Sequence, residues 1–252
     1  MRIEAGIEMP EGPSIAILRD EASIFVGKRV RRAHGNAKIA MARIEGACIV
    51  ALRSFGKQTL IQFDGFFVRV HLLMFGSYRI NEQRDIVPRL GLVFAKGELN
   101  FYNCSVKLLE GDIASQYDWR IDIMSDQWDA RLVRKKLRAM PEALICDALL
   151  DQDVFAGVGN IIKNEVLFLC KVHPLSRVGD LPPRKSSEIV AQAREYSFRF
   201  LDWKKAHVLR KHWLVHNQGS CPIHHVPLTR GYLGKRNRRS FFCELCQRRY
   251  GA

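Results

Sequence analysis

The chain has 252 residues, 47% of them hydrophobic, which excludes a disordered polymer and leaves room for one or two domains plus small modules. Forty Lys and Arg against 26 Asp and Glu give a net charge of +14, which points to a polyanionic partner, most simply nucleic acid. No apolar run is long enough to span a bilayer, and residues 1–8 lack the apolar segment of a signal peptide. An anionic membrane surface is the rival partner. The basic residues fall in loops and a ribbon-like tail instead of one amphipathic helix, so no membrane partner is expected.

Seven cysteines, an odd number without a secretion signal, indicate a reducing compartment. Cys48, Cys104, Cys146 and Cys170 sit in apolar contexts and are expected as buried thiols.

The stretch Met9-Pro10-Glu11-Gly12-Pro13 reads as a second beginning. If the chain starts at Met9 and loses it, Pro10 carries a free secondary amine with a pKa of about 8. Such an amine attacks an electrophilic sugar carbon to give an iminium. Glu11 is then a proton-transfer candidate. The alternative is a Pro-Gly-Pro turn ahead of a helix.

A helix is expected over Pro13–Val26, with Ile15, Leu18, Ala22, Ile24 and Phe25 on its apolar side. Short β runs follow, at 59–63 and 66–70 around Asp64-Gly65 and at 90–94 and 98–102 around Lys96-Gly97. Their spacing predicts an antiparallel sandwich or barrel. The polar stretch 110–128 reads as a linker. Helical periodicity returns over 130–215, with helices predicted at 143–150, 160–170 and 185–202. Between the first two lies Gly157-Val158-Gly159-Asn160. Its glycines permit positive φ, Asn160 is a candidate cap, and exposed N–H groups at such a helix start suit a phosphate.

The tail carries Cys221-x2-His224-x18-Cys243-x2-Cys246, two pairs of soft donors suited to a closed, structural tetrahedral Zn²⁺ site. His225 competes with His224, which keeps the repeated x2 spacing. Between the pairs, Arg230, Lys235, Arg236, Arg238 and Arg239 occur without an acidic residue, as suits a hairpin that grips phosphate.

These pieces resemble the formamidopyrimidine-DNA glycosylase / endonuclease VIII (Fpg/Nei) family. The matching stretches are Met9–Pro13, Gly56-Lys57, residues 149–168, His173-Pro174 and the C-terminal knuckle with Arg238 five residues before Cys243. They occur in the family's order. The resemblance implies an α+β multidomain fold. An N-terminal helix and antiparallel β-sandwich occupy 9–120, a helix-two-turn-helix domain occupies 121–215, and a β-hairpin zinc finger occupies 216–252. Residues 1–8 are then an extension. It implies a bifunctional DNA glycosylase/AP lyase of base excision repair that flips the damaged nucleotide out of the duplex. Pro10 is the implied nucleophile and Glu11 the acid/base partner. Lys57, Asn160 and Arg238 hold phosphates, with Gly157 and Gly159 in the same turn. Leu73, Met74 and Phe75 fill the gap in the stack.

One structural Zn²⁺ and no catalytic cofactor are expected. The expected partner is double-stranded DNA with damaged bases or abasic sites, bound by a monomer. The expected location is cytoplasmic, on the nucleoid in a bacterium, or nuclear in a eukaryote.

Three departures stand out: the eight residues before Met9, Ser14 in place of a second Glu, and a His among the metal ligands. The last two also occur in vertebrate Nei-like members. Gly12, where Fpg members carry Leu, and the lack of Arg-Arg-Phe in 100–109 resemble the Nei branch and its oxidised pyrimidines. The alternative is a non-catalytic damage or structure binder with the same clamp.

Overall fold

The computed structural model describes residues 10–251. Residues 1–9 and 252, and with them the expected start at Met9, lie outside the described residues. The chain divides into two compact units between Asp118 and Trp119.

The N-terminal unit opens with helix α1 (Gly12–Ala22), which has Pro13 in its first turn, where the missing N–H is no loss. Ile15, Leu18 and Ala22 are fully buried. The helix passes into a 3-10 turn, Ser23–Phe25. Phe25 is buried there, but Ile24 is 51% exposed, because the tighter turn rotates it off the apolar side on which a continued helix would hold it.

After β1 (Arg32–His34) and the short α2 (Met41–Ile44) come β2 (Ala51–Phe55), β3 (Gln58–Gln62), β4 (Phe66–Ile80), β5 (Leu90–Val93) and β6 (Glu98–Glu110). They form one antiparallel sheet ordered β1-β5-β6-β4-β3-β2. Both hairpin turns stand where expected, closed by Phe63 N–H to Phe66 O (2.9 Å) and Phe94 N–H to Gly97 O (2.9 Å). Gly65 and Gly97 take positive φ there.

β4 and β6 are much longer than the sequence predicts, and they turn the sheet into a sandwich. The first half of β4 pairs with β3 and the end of β6, the second half with the start of β6, and the register breaks between Leu72 and Ser77. Both halves bury side chains in one core, with Ile61, Phe63, Val68 and Val70 from one and Leu90, Leu92, Leu99 and Phe101 from the other.

Residues 110–128 are not a free linker. Ile113, Ile121 and Ile123 are buried, and Trp119–Ile121 forms a 3-10 turn. Ala156 ties to this stretch through its N–H to Ile121 O (3.0 Å) and by accepting from Ile123 N–H (2.9 Å).

The C-terminal unit contains α3 (Ala130–Arg138), α4 (Ile145–Ala148), α5 (Asn160–Leu169), α6 (Pro183–Lys205) and the hairpin β7 (Thr229–Leu233) and β8 (Arg238–Phe242). Asp129 caps α3 through Arg131 N–H (2.8 Å) and Leu132 N–H (3.1 Å). The helix expected over 143–150 shrinks to four residues, because Leu144 is extended and bridges to Arg177. Among the described residues no helix is long and apolar enough to cross a membrane. Cys104, Cys146 and Cys170 are buried as expected, and burial pushes their thiols up to about 12, 11 and 12. Cys48 is exposed, against expectation.

Candidate functional site

In the N-terminal unit, Pro10 is half-buried, and Glu11 is only 1% exposed. Glu11 occupies the cap of α1 in an extended conformation, and its carbonyl accepts from Ser14 N–H (2.9 Å) and Ile15 N–H (3.2 Å). The residue therefore stands at the positive end of the helix dipole. Lys57 is half-buried in the β2–β3 turn, beside Gly56 at φ +55°. Helix α1 packs on both strands that this turn joins.

His71, which no motif in the sequence singles out, is the cross-strand partner of Gln58 and so a neighbour of Lys57. Although part of its side chain reaches solvent, burial of the remainder, then the charges of Lys57 and Arg69, hold the imidazole below its ordinary value. The only signal in the sequence is a polar residue in an apolar strand two positions before Leu73.

Leu73, Met74 and Phe75 are 46%, 54% and 57% exposed. The break in β4 causes this. Phe75 takes φ +65°, and Asn103 Nδ2 donates to Met74 O (2.6 Å). Gly76 is forced by the fold, since a Cβ there would meet Asn103 O and Leu73 N at 2.7 Å. The bulge thus turns three large apolar side chains out of the sheet, against the burial they would otherwise gain.

In the C-terminal unit, Gly157 has φ +103°, as a tight turn requires. Gly159 does not: it caps α5 at φ −121°, ψ −163°. Asn160 is not a cap but the first residue of α5. Its Nδ2 donates to Arg239 O (2.8 Å), while Oδ1 is buried with no hydrogen-bond partner. Fully buried Lys163, one turn on, donates to Ser240 Oγ (2.8 Å) and approaches the same Arg239 carbonyl (3.4 Å). Helix α5 thereby fastens β8, the strand of half-buried Arg238, so Asn160 and Arg238 belong to one packed arrangement.

The hairpin tip is not freely solvated. Asp147 accepts from Lys235 N–H (2.8 Å) and Arg236 N–H (3.0 Å), and Arg236 pairs with Asp151 (3.1 Å). Gly234 takes φ +72° there, a conformation that side chains rarely allow, and a Cβ would also crowd the Asp147 carboxylate. Of the five basic residues expected to grip phosphate, Arg236 is therefore engaged within the protein.

Cys221, His224, Cys243 and Cys246 offer four donor atoms within 4.8 Å of one another. The sulfurs of Cys221 and Cys246 are 3.6 Å apart, and His224 Nδ1 lies 3.1 Å from Cys246 and 3.9 Å from Cys221 and Cys243. A tetrahedron with metal–sulfur bonds of ~2.3 Å has edges of about 3.8 Å, so the group can hold a metal ion. His225 takes φ +57° and gives its N–H to Cys221 O (2.9 Å). His224 is thus the ring that joins the cluster. Burial raises the Cys221 thiol, but N–H groups of His224 and Ile223 and the neighbouring thiols outweigh it, bringing it to about 6. Burial and the thiols of Cys221 and Cys243 push Cys246 up to about 12. Three thiols this close cannot all ionise beside one another, and a dication would let them. The cluster seals a small core of Phe168, Val215, Leu228 and Phe241.

Two family models match the chain in order, the formamidopyrimidine-DNA glycosylase N-terminal domain over residues 9–105 and the formamidopyrimidine-DNA glycosylase H2TH domain over residues 121–197. Endonuclease 8-like 3 of Mus musculus is 28% identical over 247 residues, 94% of this chain and 41% of that protein. Endonuclease 8-like 2 of Bos taurus is 33% identical over 210 residues, 73% of this chain and 59% of that protein. The chain thus spans about two fifths of the first relative's length and less than two thirds of the second's. Among solved structures, the Lactococcus lactis formamidopyrimidine-DNA glycosylase, non-covalently bound to DNA containing an AP site, matches with a TM-score of 0.83. That match has 22% identity and covers 95% of this chain and 100% of the other, a likeness of fold. With both glycosylase domains matched in sequence order, the chain belongs to the formamidopyrimidine-DNA glycosylase / endonuclease VIII family.

Proposed function

We propose that the protein is a bifunctional DNA glycosylase/AP lyase of base excision repair that releases oxidised pyrimidines and then cuts the strand. The observation that carries this reading is the Pro10-Glu11 pair at the head of α1, within a domain match that begins at Met9 and leaves residues 1–8 outside it. Activity requires that Pro10 be the chain start.

The free amine of Pro10 attacks C1′ of the flipped nucleotide. The glycosidic bond breaks, and the base leaves with its electron pair and a proton. Glu11 protonates the sugar ring oxygen as the ring opens, giving an iminium between Pro10 and C1′. The iminium acidifies the adjacent sugar protons. Loss of one expels the 3′ phosphate by β-elimination, and a second elimination expels the 5′ phosphate. Lys57, Asn160 and Arg238 hold phosphates around the lesion, with the turn at Gly157 and Gly159 allowing close backbone approach. Leu73, Met74 and Phe75 occupy the space the flipped nucleotide vacates. Cys221, His224, Cys243 and Cys246 hold one Zn²⁺, which fixes the hairpin and takes no part in the chemistry. The protein acts as a monomer wherever DNA is kept, the nucleoid or the nucleus.

The preference for pyrimidines rests on Gly12 and on residues 100–109, and on likeness to endonuclease 8-like proteins. The test is a panel of duplexes carrying thymine glycol, 5,6-dihydrouracil, 8-oxoguanine or an abasic site, incubated with chain that begins at Pro10. The expected result is release of oxidised pyrimidines and strand ends bearing phosphate on both sides of the gap. Tight binding to every lesion with no cleavage of any would replace this reading with that of a non-catalytic damage binder.

A further inference from the structure

The C-terminal unit carries a second row of cations, on α3. Five of its nine residues, Arg131, Arg134, Lys135, Lys136 and Arg138, are basic and none is acidic. This corrects the expectation that no amphipathic helix of the chain is basic. Val133 and Leu137 are its buried face, and the helix packs on α6 and on the Trp119–Ile121 turn. With 3.6 residues per turn, Arg131, Arg134, Lys135 and Arg138 fall within an arc of about 100°, turned away from Val133 and Leu137. Arg131, Lys135 and Arg138 are exposed and Arg134 half-buried.

Ordinary helix electrostatics accounts for only part of the row. Cations near a helix C-terminus are favourable, which covers Lys135, Lys136 and Arg138. It does not cover Arg131 in the first turn, where a cation opposes the dipole. The like-charged pairs Arg131/Lys135 and Arg134/Arg138, each four residues apart, also destabilise the helix that bears them. The charge of Arg131 acts on the neighbouring Asp129 carboxylate, whose pKa it helps to lower, but the rest of the row is not spent inside the protein. In the same unit Arg177 pairs with Glu142 (3.5 Å), Lys185 with Glu188 (2.9 Å) and Arg236 with Asp151 (3.1 Å). Arg134, Lys135, Lys136 and Arg138 form no ion pair among the described residues.

We propose that this face of α3 is a second, sequence-independent contact for the phosphate backbone of duplex DNA, additional to the Asn160–Arg238 arrangement. Seven residues of helix rise about 10 Å. Along that length a duplex carries about six phosphate charges, so a linear row of four cations matches a linear polyanion. A bilayer is the poorer fit, because an interfacial helix must offer an apolar face and that of α3 is already buried. The contact serves undamaged DNA, and so it rests on DNA as the partner but not on the chemistry at Pro10.

The test compares two variants of the full chain, R131A/R134A/K135A/R138A and Arg238→Ala, by equilibrium binding to an undamaged duplex across a range of salt. Alanine keeps the helix propensity of α3, and R131K/R134K/R138K serves as the charge-conserving control. The α3 variant is expected to lower the slope of log K against log salt by about two to four units, roughly 0.9 per lost contact. The lysine variant should keep the slope. An unchanged slope for the α3 variant, with a reduced one for Arg238→Ala, overturns the proposal and leaves the proposed function intact. A reduced slope for α3 alone upholds it and removes Arg238 from the phosphate contacts. Loss of binding to vesicles of anionic phospholipid, with DNA binding unaltered, also overturns it.

Discussion

Glu11 is almost wholly enclosed, yet it stands at a helix start, where backbone N–H groups favour a negative charge. Glu11→Gln keeps the size and the position and removes the proton-transfer group. Base release from a thymine-glycol duplex is expected to fall by about 10²–10⁴-fold, the usual value of general acid–base help. Cleavage of a preformed abasic site should fall much less, since its sugar already has an open aldehyde form. Paired single-turnover rates on the two duplexes decide the matter, and equal losses would remove Glu11 from base release. Such a residue is legible in sequence because its neighbours in the chain define it. Asn160 is only half legible. Its position at a helix start can be read from the glycines, but the bond from its Nδ2 to Arg239 O joins residues 79 apart. His71 was missed for the same reason: what surrounds it comes from two other strands.

At the scale of elements, the hairpin turns are legible in the sequence and the long-range pairings are not. Asp64-Gly65 and Lys96-Gly97 make their hairpins because a glycine at positive φ closes each turn. The length of β4 and its break at residues 73–76 depend on β6, a strand distant in sequence, and no periodicity within β4 reveals them. The helix predicted over 143–150 fails because Leu144 pairs with Arg177 instead.

Glu165 is the strongest case of a long-range role. It is fully buried on α5, and its carboxylate accepts from Leu214 N–H (2.9 Å), Val215 N–H (3.0 Å) and His216 N–H (2.7 Å). Burial raises its pKa, and those three N–H groups pull the other way. Glu165→Ala leaves three backbone donors of the segment leading to the finger without their acceptor. At roughly 1–3 kcal/mol for each buried unsatisfied group, the C-terminal unit should lose about 3 kcal/mol or more. Urea unfolding of that unit measures it, and a loss below about 1 kcal/mol would mean that water replaces the carboxylate.

At the scale of the whole molecule, the N-terminal unit closes on the core of its sheet, and the metal cluster closes a small core within the C-terminal unit. Chelating the metal should free Cys221, His224, Cys243 and Cys246 and loosen the core of Phe168, Val215, Leu228 and Phe241 that they close. Structural zinc is worth roughly 10–16 kcal/mol in small finger peptides. DNA binding should therefore weaken on chelation while the sandwich keeps its strand signal by circular dichroism. Metal analysis of untreated protein should find one zinc per chain, and its absence would contradict the site.

The central claim is that Pro10, as a free terminal amine, is the nucleophile. Protein beginning at Pro10 is incubated with abasic-site duplex and sodium borohydride, and the reduced protein–DNA adduct is digested and sequenced by mass. The account predicts a stable adduct attached at the Pro10 nitrogen, and none from chain that retains residues 1–9. An adduct on a lysine, or an adduct that forms equally well with residues 1–9 in place, would contradict it.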